Sequence, residues 1–332
     1  MQQVLDNIWV NEVVVKEVEK FLAEWNSTSE ELVTQTSGST GIPKQVKLSK
    51  SGLIFSARNT NKFFNLKENS KALLCLPMTT IGGKMMLVRA LESKMTLLID
   101  PPSSNPFSKR NEYFDLVAVT PMQLTKILNE SFEKIKNINS ILVGGAPMNE
   151  NLISKLKQNK ITVYHGYGMT ETASHVAIKK VGFEFDEFYS SMPGIRFSIG
   201  ENQTLIIHYP AIQETPIETN DVVELIDENR FNWLGRNDFI VNSGGIKIQV
   251  EVIENELVNL INSPFFLAGI PDDILGEKLI LCVESHVKVA EFDFNFLGVK
   301  KPREVFFLDK FSYTESGKIN RKATVNQLKL NK

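Results

Sequence analysis

Cysteine is scarce, charge of neither sign is in surplus, and apolar runs stay short. Two cysteines in 332 residues cannot build a disulfide framework. Cys75 and Cys282 sit in apolar, strand-like runs in different halves, so they read as core thiols of a reducing compartment. The 37 Lys and Arg nearly balance 39 Asp and Glu, for a formal net charge of −2. No basic block long enough for nucleic acid appears. The cations near the end (Lys318, Arg321, Lys322, Lys329, Lys332) read as a solvated tail plus one functional residue. No apolar stretch approaches the roughly 20 residues that cross a bilayer. The acidic start, with Asp6, Glu12, Glu17 and Glu19, lacks the basic-then-apolar order of a secretory signal. Repeats and low-complexity tracts are also missing. A cytoplasmic protein of two domains, with no nucleic acid and no membrane among its partners, is the expectation.

What is present gathers in a few short segments. Residues 36–44 read Thr-Ser-Gly-Ser-Thr-Gly-Ile-Pro-Lys, with β-type residues (Leu32, Val33) before them and a helical pattern after Ser49. Small residues let backbone N–H groups approach phosphate oxygens, hydroxyls donate further bonds and a lysine adds charge. The spacing is not that of the common kinase and GTPase loop, and taken alone the segment also reads as a flexible connection. Downstream, Tyr164-His165-Gly166-Tyr167-Gly168-Met169-Thr170-Glu171-Thr172 follows an apolar run at 161–163. Its glycines suggest a tight turn presenting an aromatic face, and a carboxylate follows. Asp221 precedes a hairpin-like pair, 222–226 and 231–234, after which come Leu234-Gly235-Arg236-Asn237-Asp238 and Ser243-Gly244-Gly245. Near the end, Thr314-Glu315-Ser316-Gly317-Lys318-Ile319-Asn320-Arg321 forms a glycine-bearing loop around one lysine. Each fragment alone is explicable as turn chemistry.

Periodicity supplies the frame. Runs at 72–76, 96–99, 116–119, 140–143 and 161–163 read as strands; 84–92, 121–129 and 149–159 read as helices. Thr120 before Pro121, and Asn149, are N-cap candidates. Such alternation predicts a largely parallel sheet covered by helices. From 196 to 234 short strands and turns suggest an antiparallel element. Beyond Asp238 a helix at 250–261 and strands at 265–269, 279–284 and 305–308 predict a small α+β unit.

Five separated segments in this order resemble the adenylate-forming superfamily of acyl- and aryl-CoA ligases, peptide-synthetase adenylation domains and luciferases. The resemblance runs from about residue 32 to 322. Within the superfamily the chain looks most like the o-succinylbenzoate–CoA ligases of menaquinone biosynthesis. Its short length, Ser243-Gly244-Gly245 with Ile248-Gln249 behind it, and the 76–91 segment carry that narrower likeness. The implied fold is a large N-terminal α/β domain with helix-flanked sheets (1–237) and a small mobile C-terminal α+β domain (238–332). About 35 residues precede the phosphate loop, fewer than the family carries, so a shortened N-terminal region is expected.

The resemblance also implies the chemistry. A carboxylate attacks the α-phosphorus of ATP, giving acyl-adenylate and pyrophosphate; the thiol of coenzyme A then displaces AMP. Thr36, Ser37, Gly38, Ser39, Thr40, Gly41 and Lys44 would hold the β- and γ-phosphates, and Glu171 would coordinate Mg²⁺ with Thr170 at the α-phosphate. Gly144, Gly145 and Ala146 would floor the adenine, with Tyr167 and Gly168 alongside. Asp221, assisted by Arg236, would accept the ribose hydroxyls. The family usually shows Thr-Gly-Asp there; Asn220 replaces the glycine, so a slightly different backbone is expected. Lys318 would bridge the acid and the α-phosphate. Asp238 would be the hinge whose rotation withdraws Lys318 and brings Ser243, Gly244 and Gly245 to the CoA channel.

The acyl pocket is least legible. Where the family carries an aromatic and a histidine, this chain has Thr79, Thr80, Ile81, Gly82 and Gly83. Thr80, Gly83, Lys84 and His165 are pocket candidates; Lys84 either meets a second carboxylate or faces solvent, and Arg89 falls on the same helix. His175 is a weaker candidate. Alternatives are a CoA ligase for another aryl or medium-chain acid, a module loading a carrier protein, and a nucleotide-binding protein without turnover. Homo-oligomerisation is left open.

Overall fold

The computed structural model describes residues 1–35, 45–258, 260–261, 263–287, 292–313 and 319–330. Its frame is a 13-stranded sheet. Six neighbouring strands run parallel: Ile8–Val10, Thr96–Ile99, Lys71–Leu74, Phe114–Val119, Ile138–Val143 and Thr162–Gly168. The last five are the expected α/β strands, and they read as continuous apolar runs because helices cover both faces. On one face Leu53 and Ala57 of the helix Lys50–Phe63 pack with Met85 to Val88 of Ile81–Ser93. On the other, Leu124 and Ile127 of Pro121–Glu130 pack with Leu152 and Leu156 of Glu150–Gln158. Thr120 closes a capping box with Gln123, and Asn149 accepts from the Leu152 N–H, both as expected.

Two features of the sheet go beyond the sequence expectation. Gln2–Leu5 and Ile8–Val10 form a tight antiparallel hairpin that adds an edge to the parallel core. The expected antiparallel element is present and is continuous with the same sheet, reached through His175–Gly182, which pairs antiparallel with Thr162–Gly168. The segment containing Tyr167 is therefore a strand up to Gly168 and not a turn. Its glycines serve close approach: a Cβ on Gly168 would lie 2.2 Å from the Ser174 carbonyl oxygen. Both cysteines are buried and unpaired. No helix among the described residues is long and apolar enough to cross a membrane.

The edge strand of the large sheet opposite Gln2–Leu5 is Arg196–Ile199, and in chain order its last strands are the hairpin Ile217–Asp227 and Arg230–Arg236. The next strand, Ile240–Ser243, belongs to a second sheet with Ile246–Gln249, Gly276–Glu284, Phe265–Asp272 and Glu304–Leu308. The hydrophobic clusters divide at the same place. Trp233 packs on the first core, Phe239 on the second.

Candidate functional site

Gly144, Gly145, Ala146, Tyr167, Gly168, Thr170 and Glu171 close or follow parallel strands at their carboxyl ends, where α/β sheets open a crevice for ligands. The strand Ile138–Val143 ends in Gly144 and Gly145; Gly145 has φ +83 with nothing within 4 Å of a notional Cβ, and Gly144 has only the Gly166 carbonyl, at 3.9 Å. The result is an open backbone surface beside the strand that carries Tyr167. Behind it His165 is buried with both ring nitrogens engaged. Nε2 lies 3.1 Å from the Ala146 carbonyl, which can only accept, so Nε2 carries the proton. Nδ1 then accepts from the Tyr189 hydroxyl at 2.7 Å. Burial pulls the His165 pKa down to about 4, against the Ala146 carbonyl. The ring braces the Gly144–Ala146 turn from below, and as an acyl-pocket residue it has no free nitrogen to offer.

Tyr167 donates its hydroxyl to Asp221 Oδ2 at 2.6 Å. Burial, then the Asp221 charge, holds the phenol well above its ordinary pKa, so it remains a donor. The other carboxylate oxygen accepts from Trp233 Nε1 at 3.0 Å, a contact that sequence reasoning missed. Arg236 is the cross-strand partner of Asp221. Its guanidinium grips Asp238 at 2.8 and 3.0 Å, which raises its pKa. Asn220 sits in regular strand without positive φ. Beside it the Asp221 N–H bonds the Thr219 hydroxyl at 3.1 Å.

Glu171 is presented by the single turn Thr170–Thr172 between two strands. Met169 N–H bonds the Thr172 hydroxyl at 3.0 Å, and Ala173 turns the chain with φ +63. The turn packs against the strand Gln45–Ser49, which pairs with Glu31–Gln35; residues 36–44 join those two strands. Thr36, Ser37, Gly38, Ser39, Thr40, Gly41 and Lys44 lie outside the described residues, as does Lys318. Among the described residues no group of three acidic, His or Cys side chains could cage a metal. A half-buried single carboxylate such as Glu171 fits Mg²⁺ held jointly with phosphates, the usual manner for that ion.

The acyl-pocket candidates have local duties. Thr80 caps its helix through the Gly83 N–H at 3.3 Å and donates to the Pro77 carbonyl at 2.8 Å. Gly83 is required by packing: a Cβ would lie 2.2 Å from that same carbonyl oxygen. Lys84 donates to the Val33 carbonyl at 3.2 Å, and burial lowers its pKa. Arg89 is the unexpected member. It is 2% exposed, donates to Ser174 Oγ at 2.5 Å, and leaves Nε without a partner among the described residues. No carboxylate among the described residues pairs with it, and burial brings its pKa down to about 10. His175 stands beside it, bonded to Ser174 and Thr60 at 3.3 Å each and pulled to about 3 by burial and then by Arg89.

Ser243, Gly244 and Gly245 shape the tip of the hairpin between Ile240–Ser243 and Ile246–Gln249. Both glycines have positive φ, +58 and +80, as a two-residue type I′ turn demands.

The AMP-binding enzyme family matches residues 18–203, over half of the sequence. The chain belongs to the AMP-binding enzyme family. It is 34% identical to an acyl-CoA synthetase (AMP-forming)/AMP-acid ligase II-like protein from Dyadobacter fermentans, with TM-score 0.63, covering 94% of this chain and 93% of that one. The O-succinylbenzoate coenzyme A synthetase (MenE) of Bacillus subtilis, solved with ATP and magnesium ion, is 20% identical with TM-score 0.75, covering 88% of this chain and 69% of that one. The 2-succinylbenzoate–CoA ligase of Staphylococcus epidermidis is 23% identical over 322 residues, 86% of this chain and 68% of that protein. The fold is thus that of adenylate-forming enzymes, as the sequence motifs implied.

Proposed function

We propose that the protein is an AMP-forming acid–CoA ligase whose acid carries a second carboxylate, o-succinylbenzoate being the best candidate. A carboxylate cannot acylate a thiol directly, because its leaving group would be oxide. Attack on the α-phosphorus of ATP releases pyrophosphate and makes AMP the leaving group; the CoA thiol then attacks the acyl carbon and AMP departs. The Tyr167–Asp221 contact carries the nucleotide reading. It fixes an acceptor for two ribose hydroxyls next to an aromatic ring and the open Gly144–Gly145 backbone, a suitable seat for adenine. Glu171 and the nucleotide phosphates would hold Mg²⁺, which neutralises phosphate charge when bound. Thr170 would contact the α-phosphate.

The acid reading is supported by Arg89. Burying a cation without a counter-charge is costly, and a substrate carboxylate would supply that charge. The curated relative's 2-succinylbenzoate has two carboxylates, one to activate and one to hold. Lys318, Asp238 and the Ser243-Gly244-Gly245 tip keep their proposed parts in adenylation, hinge rotation and CoA passage, with the domain boundary at 237/238. The test is acid-dependent release of pyrophosphate across monocarboxylic and dicarboxylic aryl and aliphatic acids, followed by thioester formation with free CoA. Preference for monocarboxylic acids would reject the dicarboxylate reading alone.

A further inference from the structure

We infer that Trp233 is a positioning residue that orients Asp221 toward a vicinal diol and makes the enzyme discriminate ribonucleotides from deoxyribonucleotides. This rests on the nucleotide reading above, in which Asp221 receives the ribose. Asp221 offers two oxygens, each with two lone pairs. One lone pair on Oδ2 is taken by Tyr167 and one on Oδ1 by Trp233. A donor on each oxygen fixes the plane of the carboxylate, and one acceptor site remains on each. Two adjacent acceptors on a rigid group match two adjacent hydroxyls.

The backbone is built to make this contact. Asp221 faces Arg236 and Val222 faces Gly235, but Val223 faces Trp233, leaving Leu234 as an extra residue. Such a bulge re-aims side chains. Without it Trp233 would oppose Glu224 and point to the other face of the sheet, since side chains alternate with period two. With it, Trp233 shares the face of Val223 and Asp221. Gly235 absorbs the distortion at φ +144. Trp233 also packs on the main core, so the indole is held while its N–H is aimed.

The experiment compares ATP with 2′-deoxyATP and 3′-deoxyATP in acid-dependent pyrophosphate release by wild type, Trp233→Phe and Asp221→Ala. Wild type is expected to prefer ATP over either deoxynucleotide by about 30-fold or more in kcat/KM, the value of one hydrogen bond to a charged group. Trp233→Phe should raise KM for ATP about tenfold with kcat within twofold, and shift the deoxynucleotides much less, so that the preference shrinks. Should Trp233→Phe lose activity equally with all three nucleotides, or leave the ratio intact, the positioning role is refuted while the ribose reading stands. If Asp221→Ala retains full preference for ATP, the ribose reading fails and the inference with it. Should Trp233→Phe not fold, the Trp233 indole N–H resonance of the wild-type protein decides: it is expected to move with AMP and to move less with 2′-deoxyAMP, and indifference to AMP overturns the inference.

Discussion

Replacing Arg89 with methionine separates function from stability at one position. The guanidinium is 2% exposed and has no acidic partner among the described residues. A pKa drawn down to about 10 corresponds to about 3 kcal/mol of unfavourable burial at about 1.4 kcal/mol per pH unit. Methionine keeps most of the volume and removes the charge. It forfeits the bond to Ser174, worth about 1.5–3 kcal/mol for a charged donor. The balance is a gain of about 1 kcal/mol, in line with apolar replacement of buried charge. For a chain of this size that raises Tm by about 2 °C, measurable by calorimetry without substrate. Activity should move the other way. If Arg89 holds the second carboxylate, kcat/KM for a dicarboxylic aryl acid should fall about 30- to 150-fold, the factor for about 2–3 kcal/mol. A monocarboxylic analogue should be far less affected. A variant that is less stable by more than about 1 kcal/mol, yet handles both acids as wild type does, would refute the reasoning and make Arg89 a packing residue.

Other expectations concern different parts of the molecule. His165 and His175 are held neutral, with pKa values of about 4 and about 3, so the unfolded chain binds their protons first as pH falls. The stability they leave intact above about pH 6.5 is lost on acidification, by about 2 kcal/mol per histidine at pH 5. Urea unfolding of a His165→Gln, His175→Gln double variant should show a flatter decline between pH 6.5 and 5, and an unchanged slope would contradict the assignment. Gly168→Ala puts a methyl 2.2 Å from the Ser174 carbonyl oxygen and 2.6 Å from His175 Cα. A cost of about 1–3 kcal/mol is expected from such overpacking, read as a lower urea midpoint together with weaker ATP binding. Lys318→Ala should slow adenylation about 10²–10³-fold, the loss of one transition-state donor, while thioester formation from supplied acyl-adenylate survives; equal loss in both halves would remove Lys318 from its role.

How far the sequence reveals this protein depends on how local each signal is. The helix Pro121–Glu130 was legible because Thr120 and Pro121 write its start into adjacent residues. The parallel strands were legible as short apolar runs between helices. The hairpin Gln2–Leu5 and Ile8–Val10 was not, since it depends on pairing with Thr96–Ile99, nearly ninety positions away. The Tyr167 segment resembled a turn because glycine signals freedom, whereas here it signals close contact with Ser174 and His175. Arg89 gave a readable hint: it interrupts Met85, Met86, Leu87 and Val88 before Ala90, a helix apolar all round and hence buried. Trp233 gave none. Its aim follows from one extra residue at Leu234, and a bulge has no reliable mark in the sequence beyond a glycine.

The most direct measurement is pyrophosphate release by the purified protein with ATP, magnesium and a panel of organic acids. Release that depends on the acid, is fastest with a dicarboxylic aryl acid, and falls about 30-fold or more in kcat/KM for ATP in Asp221→Ala is the predicted result. Absence of release with every acid would contradict activation by adenylyl transfer and leave the fold without the proposed chemistry.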